Sequence, residues 1–325
     1  MRSNRVTQLD ILRAAAIFGV LVLHSSFQNR FNKETLAVQG ILARLFDWAV
    51  LAFFFSSGCL YDRSAKFVVA LKKRAISLLV PFFLYNALYN LSFAATESMG
   101  WVSVPAAQHG SFTLASFFLQ SPGFQLYFLP YLFLVSVLVC MADKLTGTQA
   151  HWMRWIMLLS IFIFYLIRGY PDFSFGPAYS NLPLYLAAFI CGVIGRPILD
   201  EPFANAWVIA VALTFVLVIL ALSPLPIVSL AVPPLLAALA GSVPKMNDTK
   251  VLLFVGAISG SIYLWHTPIL LPGITRLLAA SGIPSLFNLL GSICLTLVLC
   301  SLFRAGLDAL FRYAFKRPAP RFITL

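Results

Sequence analysis

The chain has 325 residues, of which 60% are hydrophobic and only 10% are charged, and its mean hydropathy is +0.89. Soluble domains are about half apolar and about a quarter charged, so this composition excludes a soluble enzyme and indicates one integral-membrane domain over residues 1–325. The formal net charge of +12 would suit a nucleic-acid ligand. The distribution of that charge argues against nucleic-acid binding, because the basic residues fall between apolar segments and form no single patch.

Ten apolar segments follow one another along the chain, and most approach the roughly 20 residues that a helix needs to cross a bilayer. The first is not followed by a small-residue cleavage site, so we expect it to remain as a helix rather than to be removed as a signal peptide. We predict an all-α, polytopic membrane protein with about ten transmembrane helices and no separate soluble domain. The segments lie at about 11–27, 40–60, 76–96, 124–142, 153–168, 180–196, 206–222, 226–243, 252–272 and 285–303.

The connections between these segments differ strongly in lysine and arginine content. With the N-terminus inside, 18 of the 23 basic residues fall on the inner side and 5 on the outer side. Cytoplasmic loops of membrane proteins carry such an excess of basic residues. The asymmetry therefore predicts an even number of spans with both termini in the cytoplasm.

Two ionisable residues of the first segment, Arg13 and His24, are eleven residues apart. Eleven residues make about three full turns of an α-helix and roughly 16 Å of its length, so both side chains lie on one face. An ionisable side chain inside a membrane span is costly and indicates a functional site. We predict one wall of a polar tunnel, with a cation at its inner mouth and a base, His24, deeper in.

A second intramembrane histidine, His266, follows Tyr263 by three residues in the ninth segment. The first and ninth segments both run outward, which places the two imidazoles at a similar height, roughly 20 Å above the inner ends. Such a pair is suited to general-base and hydrogen-bonding roles. The alternative is that each ring only satisfies a backbone carbonyl or lies at the level of the lipid headgroups.

Polar side chains near the outer ends of neighbouring segments are further candidates. Asp47 is placed to orient His24, although a local ion pair with Arg44, three residues earlier, is the more frequent arrangement. Tyr85 in the third segment and Tyr127 at the start of the fourth either join helices by hydrogen bonds or contact substrate, and the first role is the more frequent.

A basic run, Lys72-Lys73-Arg74, immediately precedes the third segment at the inner side. Guanidinium groups bind phosphate in a bidentate way, so Arg13 and this run are suited to an anionic cytosolic donor. The alternative is that the run only sets the membrane topology.

Signatures of nucleotide, metal and hydrolase chemistry are absent from the sequence. It contains no P-loop, dinucleotide fingerprint, zinc-ligand spacing or nucleophile elbow. Its five cysteines have no metal-ligand spacing and no pair in an external loop. We therefore predict no bound metal and no bound cofactor.

Several of these motifs, in this order, resemble the membrane-bound acyltransferase 3 family. Its opening signature is an arginine, ten residues and a histidine, as at Arg13 and His24. Two departures are the lysine at position 73, where the family has arginine, and the tyrosine at 127, where it has tryptophan. The other matching stretches are Phe53–Leu60 (Phe-Phe-x-x-Ser-Gly-x-Leu), Lys73-Arg74 through Pro81, Tyr127–Leu129 and Ser261–His266 (Ser-x-Tyr-Leu-x-His).

The resemblance implies transfer of an acyl group, commonly acetyl, from cytosolic acyl-coenzyme A to a sugar hydroxyl. Acceptors in the family are cell-envelope or exported glycans such as O-antigens and exopolysaccharides, which implies a multi-pass protein of the bacterial inner membrane. By the same resemblance His24 and Arg13 are the catalytic residues, with His24 as the base, and Arg13, Lys73 and Arg74 hold the donor. The chain resembles the stand-alone form of the family, without an appended extracytoplasmic domain.

The remaining site residues have roles that combine the resemblance with their position. We expect His266, Tyr263, Asp47 and Tyr127 to orient the acceptor or to stabilise the developing oxyanion. The expected partners are membrane lipid, acyl-coenzyme A and a glycan, with no nucleic acid. The alternative function is a transporter or flippase of a lipid-linked glycan or a small metabolite, because intramembrane histidines are suited to transport as well. Transporters often show paired halves, and the sequence has no convincing internal repeat.

Overall fold

The computed structural model describes residues 7–28, 33–98, 124–168, 181–200, 206–222, 226–242 and 250–316. Within these ranges the chain is helical, with short turns and no strand. The prediction of an all-α protein is therefore confirmed for the described residues. The expected cytoplasmic termini lie mostly outside these ranges and remain a prediction.

The described residues up to Arg168 form seven α-helices. A π-helical turn over Ala75–Leu79 joins the fourth helix to the fifth, and short 3-10 turns precede the sixth and seventh. The helices are α1 (Thr7–Gln28), α2 (Lys33–Phe46), α3 (Trp48–Cys59), α4 (Phe67–Arg74), α5 (Val80–Ser98), α6 (Phe128–Thr146) and α7 (Ala150–Arg168).

The described residues from 181 to 316 form seven more helices. A 3-10 turn over Pro226–Ala231 leads into the tenth helix, and a π-helical turn over His266–Leu270 separates the twelfth from the thirteenth. The helices are α8 (Leu182–Asp200), α9 (Ala206–Leu222), α10 (Val232–Ser242), α11 (Lys250–Ala257), α12 (Ser259–Trp265), α13 (Leu271–Ala280) and α14 (Ser285–Phe315).

Each predicted span coincides with one of these helices or with a group of consecutive ones. Four helical stretches of the described chain are both long and apolar enough to cross a membrane: Thr7–Ser25, Gly40–Cys59, Phe128–Tyr165 and Leu286–Phe315. The protein is thus a helical membrane protein, and the count of ten spans remains a prediction. Two expected spans are not continuous helices, since the second is interrupted at Asp47 and the ninth at Ile258 and again after His266.

Helix α1 lies inside the bundle and contacts α2, α3 and α10–α14. Its partner α3 runs in the opposite direction, because Gly19 of α1 meets Ala49 at the start of α3, while Arg13 acts electrostatically on Cys59 at the end of α3. The bundle therefore has an Arg13 end and a His24 end. Along α1 the two residues are separated by roughly 16 Å.

Helices α3 and α8 run side by side in the same direction and approach each other closely at two glycines. A Cβ atom on Gly58 would collide with the carbonyl oxygen of Phe189, and one on Gly192 would collide with the carbonyl oxygen of Phe55. Small residues permit such backbone contact between membrane helices. This contact brings side chains of α8 into both ends of the bundle, beside those of α3.

Candidate active site

A cavity of about 180 Å³ lies at the His24 end of the bundle. Four of the eight predicted site residues line it: His24 from α1, Asp47 from the junction of α2 and α3, Tyr127 from the turn before α6, and Tyr263 from α12. These residues come from four separate parts of the chain. The fold thus brings together the outer group of side chains that the sequence singled out.

The two intramembrane histidines are in direct contact beside this cavity. The ring centroids of His24 and His266 are 5.1 Å apart, with an angle of 64° between the ring planes. Tyr263 lies 5.7 Å from His266 by the same measure. The His266 side chain is fully buried, whereas His24 is only half-buried because it faces the cavity.

The position of His266 follows from a break in its helix. Pro268 has no N–H and disfavours a helical conformation at the residue before it, and Thr267 is accordingly extended, with φ −124° and ψ 159°. The carbonyl oxygen of Leu264, four residues before Pro268, therefore lacks its regular helical donor. Nδ1 of His266 lies 2.9 Å from the Tyr263 oxygen, and the hydroxyl of Tyr89 donates to the Leu264 oxygen.

Asp47 and two tyrosines form the polar part of the cavity wall. The Ser229 hydroxyl donates to Oδ2 of Asp47 at 3.4 Å. The ion pair of Asp47 with Arg44 stays a prediction. The Tyr185 hydroxyl donates to that of Tyr127, also at 3.4 Å. Tyrosine hydroxyls are hydrogen-bond donors at neutral pH, so this wall offers donors to a substrate oxygen.

Five arginines gather at the opposite end of the bundle, and we call them the inner arginine cluster. Arg13 and Arg196 both act electrostatically on Cys59, and Arg74 does so on Tyr61 at the end of α3. Acidic partners lie among them, since Asp10 pairs with Arg13 at 3.7 Å and Asp143 with Arg154 at 2.5 Å. The cluster consists of Arg13, Arg63, Arg74, Arg154 and Arg196.

Arg63 and Arg196 tie α3 to α8 by hydrogen bonds to backbone oxygens. Arg63 donates to the Val193 oxygen at 3.1 Å, and Arg196 to the Tyr61 oxygen at 3.5 Å. Burial lowers the pKa of the Arg63 and Arg74 guanidinium groups, but arginine remains protonated in proteins. These partly desolvated cations are thus suited to an anionic group that arrives from outside the bundle.

The predicted donor residues do not all share one position. Arg74 is half-buried within the inner arginine cluster, whereas its neighbour Lys73 is exposed on α4. Neither of them lines the cavity at the His24 end, and neither does Arg13. The candidate site therefore has two parts, a cationic one and a histidine-containing one, at opposite ends of α1.

Aromatic side chains pack between these two parts. Phe54 of α3 stacks on Tyr185 with ring centroids 4.6 Å apart and an interplanar angle of 2°, and Phe128 packs on Phe54 and on Tyr263 at 5.1 Å each. Such packed aromatic rings exclude water and hold one another in place. These rings form an aromatic wall between the two parts of the candidate site.

Helix α12, which carries Tyr263, is fastened on two sides. The Tyr85 hydroxyl accepts a 2.5 Å hydrogen bond from Trp265 Nε1, which supports the helix-joining interpretation of this tyrosine. Arg304 of α14 donates to the Ser261 hydroxyl at 2.7 Å and pairs with Asp308 at 3.3 Å. Arg304 is one of the basic residues on the predicted inner side, and its contact with a distant helix leaves no spacing signal in the sequence.

The model of the acyltransferase 3 family, described as an acyltransferase domain, matches residues 6–305. No curated protein and no solved structure matches the chain. The matched range includes both parts of the candidate site.

Proposed function

The chain belongs to the acyltransferase 3 family, and from this we propose that it transfers an acyl group from cytosolic acyl-coenzyme A to a hydroxyl of an exported or lipid-linked glycan. It is a membrane acyltransferase. The observation that carries the proposal is the two-part site: a cationic cluster at one end of α1 and a histidine beside a polar cavity at the other.

The donor is proposed to bind at the Arg13 end. Coenzyme A carries several phosphate groups, and the inner arginine cluster offers guanidinium groups of which two are desolvated by burial. Guanidinium and phosphate form strong bidentate pairs. The positive-inside distribution of basic residues supports a cytoplasmic position for this end, where acyl-coenzyme A is found. The apolar arm of the donor is then proposed to point along the aromatic wall toward His24.

Acyl transfer is proposed to take place in the cavity. His24 accepts the proton of the acceptor hydroxyl as its oxygen attacks the thioester carbonyl carbon, the carbon–sulfur bond breaks, and the proton passes to the departing thiolate. Hydrogen-bond donors near the carbonyl oxygen lower the barrier by stabilising its negative charge. The Tyr127, Tyr185 and Tyr263 hydroxyls that surround the cavity are proposed for that role, and Asp47 is proposed to hold a hydroxyl of the sugar.

The side of the membrane from which the donor enters tests this proposal. Membrane vesicles are prepared from a polysaccharide-producing bacterium with and without the gene, in inside-out and right-side-out orientation, and are given radiolabelled acetyl-coenzyme A. We expect label in the glycan fraction only from inside-out vesicles that contain the protein, because the arginine cluster then faces the medium. Equal labelling from both faces would contradict the proposal, and glycan movement without labelling would favour a transporter.

Replacing Arg74 by alanine is expected to raise the KM for acyl-coenzyme A about tenfold or more, because a charge-assisted hydrogen bond contributes about 1.5–3 kcal/mol. The kcat is expected to change little, since Arg74 lies at the end of the bundle remote from the cavity. The measurement is the initial rate of acetyl transfer at varied donor concentration. Lys144→Ala, which removes an exposed cation at the same end of the bundle, is the matched control, and an Arg74→Ala KM equal to the control's would refute the donor role.

A further inference from the structure

We propose that His266 is a positioning residue that fixes the tautomer and orientation of His24, by offering it the unshared electron pair of Nε2. The inference rests on the proposed function, because it supposes that His24 is the base. Its starting point is the contact between the two rings, which are 5.1 Å apart. The role of holding a catalytic histidine, for which Asp47 was the first candidate, then belongs to a second imidazole.

Two backbone oxygens determine which nitrogen of His266 carries the proton. Its Nδ1 atom lies 2.9 Å from the Tyr263 oxygen and 3.1 Å from the Ile262 oxygen. A carbonyl oxygen only accepts hydrogen bonds, so Nδ1 must be the protonated nitrogen of the neutral ring. Both oxygens belong to the turn of α12 that precedes His266, so the helix itself fixes this tautomer.

The other nitrogen, Nε2, is then an acceptor without a donor. Nε2 of His266 is buried and has no hydrogen-bond partner among the described residues. An unsatisfied acceptor in an apolar interior is costly, and inside a membrane bundle few groups can reach it. The ring in contact with His266 that carries an N–H is His24, so the structure assigns His24 as its donor.

The distance between the rings agrees with this assignment. A ring nitrogen lies about 1.1 Å from its ring centre and hydrogen-bonded nitrogens are about 2.9 Å apart, so two imidazoles joined nitrogen to nitrogen have centres about 5.1 Å apart. The observed separation is 5.1 Å. A change in the side-chain torsion angles of His24 then aligns its N–H with Nε2, which has no partner among the described residues.

The consequence for the reaction is a His24 ring with one defined tautomer. The nitrogen that donates to His266 keeps its proton throughout, and the opposite nitrogen presents its electron pair to the cavity and accepts the hydroxyl proton. The positive charge that His24 then carries is stabilised by Nε2 of His266. Delivery of the proton to the thiolate of coenzyme A restores the neutral ring, so no additional reactant is needed.

Two substitutions at position 266 separate an acceptor from a mere space-filling side chain. Glutamine retains an acceptor oxygen near the place of Nε2, whereas leucine has a similar volume and no acceptor. We expect His266→Leu to lower the kcat of acetyl transfer about 100-fold with the KM for acetyl-coenzyme A unchanged, and His266→Gln to remain within about tenfold of the wild type. Equal kcat values for the two variants would overturn the proposal, and so would a leucine variant that changes only the KM.

The tautomers themselves are measured by nitrogen-15 NMR on histidine-labelled protein in lipid. The chain has four histidines, so the background variant His109→Gln/His151→Gln leaves only His24 and His266. We expect His266 with its proton on Nδ1 and His24 in a single tautomer, and we expect His266→Leu, but not His266→Gln, to give a mixture of His24 tautomers. A His24 spectrum that does not respond to His266→Leu would overturn the positioning role.

Failure of this inference is distinguishable from failure of the proposed function. If His24→Gln retains transfer, His24 is not the base and the proposed function is wrong at that residue. If His24→Gln abolishes transfer while His266→Leu retains the full kcat, only the positioning role is wrong. If both His266 variants fall to the level of His24→Gln, His266 itself takes the substrate proton, and the assignment of roles within the pair is overturned.

Discussion

Replacing His24 by glutamine is expected to lower the kcat of acyl transfer at least about 1000-fold, which lies within the range that positioned general bases contribute. Glutamine is polar and similar in size, so the cavity that His24 shares with Asp47, Tyr127 and Tyr263 is preserved. An amide does not accept a proton at neutral pH, and the hydroxyl then attacks unassisted. The KM for the donor is expected to stay near the wild-type value, because the arginine cluster is untouched.

The matched control for this variant is His151→Gln on α7. His151 is exposed, and its Nε2 atom lies 3.2 Å from the indole nitrogen of Trp155, at the Arg154 end of that helix. It therefore tests the loss of a histidine as such. We expect full activity from the control, and a His24→Gln kcat within tenfold of it would remove His24 from the mechanism.

The same substitution is thus expected to have opposite outcomes at the two histidines. Glutamine at position 24 removes the one property that the reaction needs, a basic nitrogen that faces the cavity. Glutamine at position 266 retains the one property that the pair needs, an acceptor beside the His24 ring. A cavity that only binds and moves a glycan gives no reason for this asymmetry, so the comparison also separates the enzyme from the transporter.

Much of the outer half of the site was predictable from helix geometry. Arg13 and His24 are related by the repeat of one helix, and the heights of His24 and His266 follow from two spans that start at the same side. The structure brings both rings into contact and places Tyr263, Tyr127 and Asp47 close by. Ten apolar segments likewise sufficed to locate the helices, because hydropathy is a local property of the chain.

The inner half depended on tertiary contacts that spacing does not encode. Arg63 and Arg196 are 133 residues apart, and both were absorbed into the positive-inside pattern, which explains a basic residue without requiring it to meet another. The close approach of α3 to α8 brings them to Val193 and Tyr61. Tyr185, which lines the cavity at the His24 end, was missed because the sequence does not indicate which helices pack against α8.

The break after His266 shows a local signal whose importance was visible only in three dimensions. The dipeptide Thr267-Pro268 predicts a helix interruption from sequence. That the hydroxyl of Tyr89 binds the Leu264 oxygen released by Pro268 required the packing of α5 against α12.

Replacing Gly192 by valine is expected to destabilise the folded protein by about 3 kcal/mol or more, the upper range for overpacking in a filled interior. A Cβ atom at this position collides with the carbonyl oxygen of Phe55, and a backbone carbonyl cannot rotate away as a side chain does. Helices α3 and α8 must then separate. The measurement is the apparent Tm of the purified protein in detergent together with the yield of monodisperse material.

The control is Gly306→Val on α14, where an added Cβ meets no atom within 4 Å. It carries the same small change in helix propensity, which slightly favours valine over glycine, without the collision. We expect the control to keep nearly the wild-type Tm and full transfer activity. Any Gly192→Val protein that survives purification is expected to lose donor affinity as well, because the separation of α3 from α8 moves Arg196 away from Tyr61 and Arg63 away from Val193. Equal Tm values for the two variants would show that the contact between α3 and α8 is not close enough to exclude a side chain.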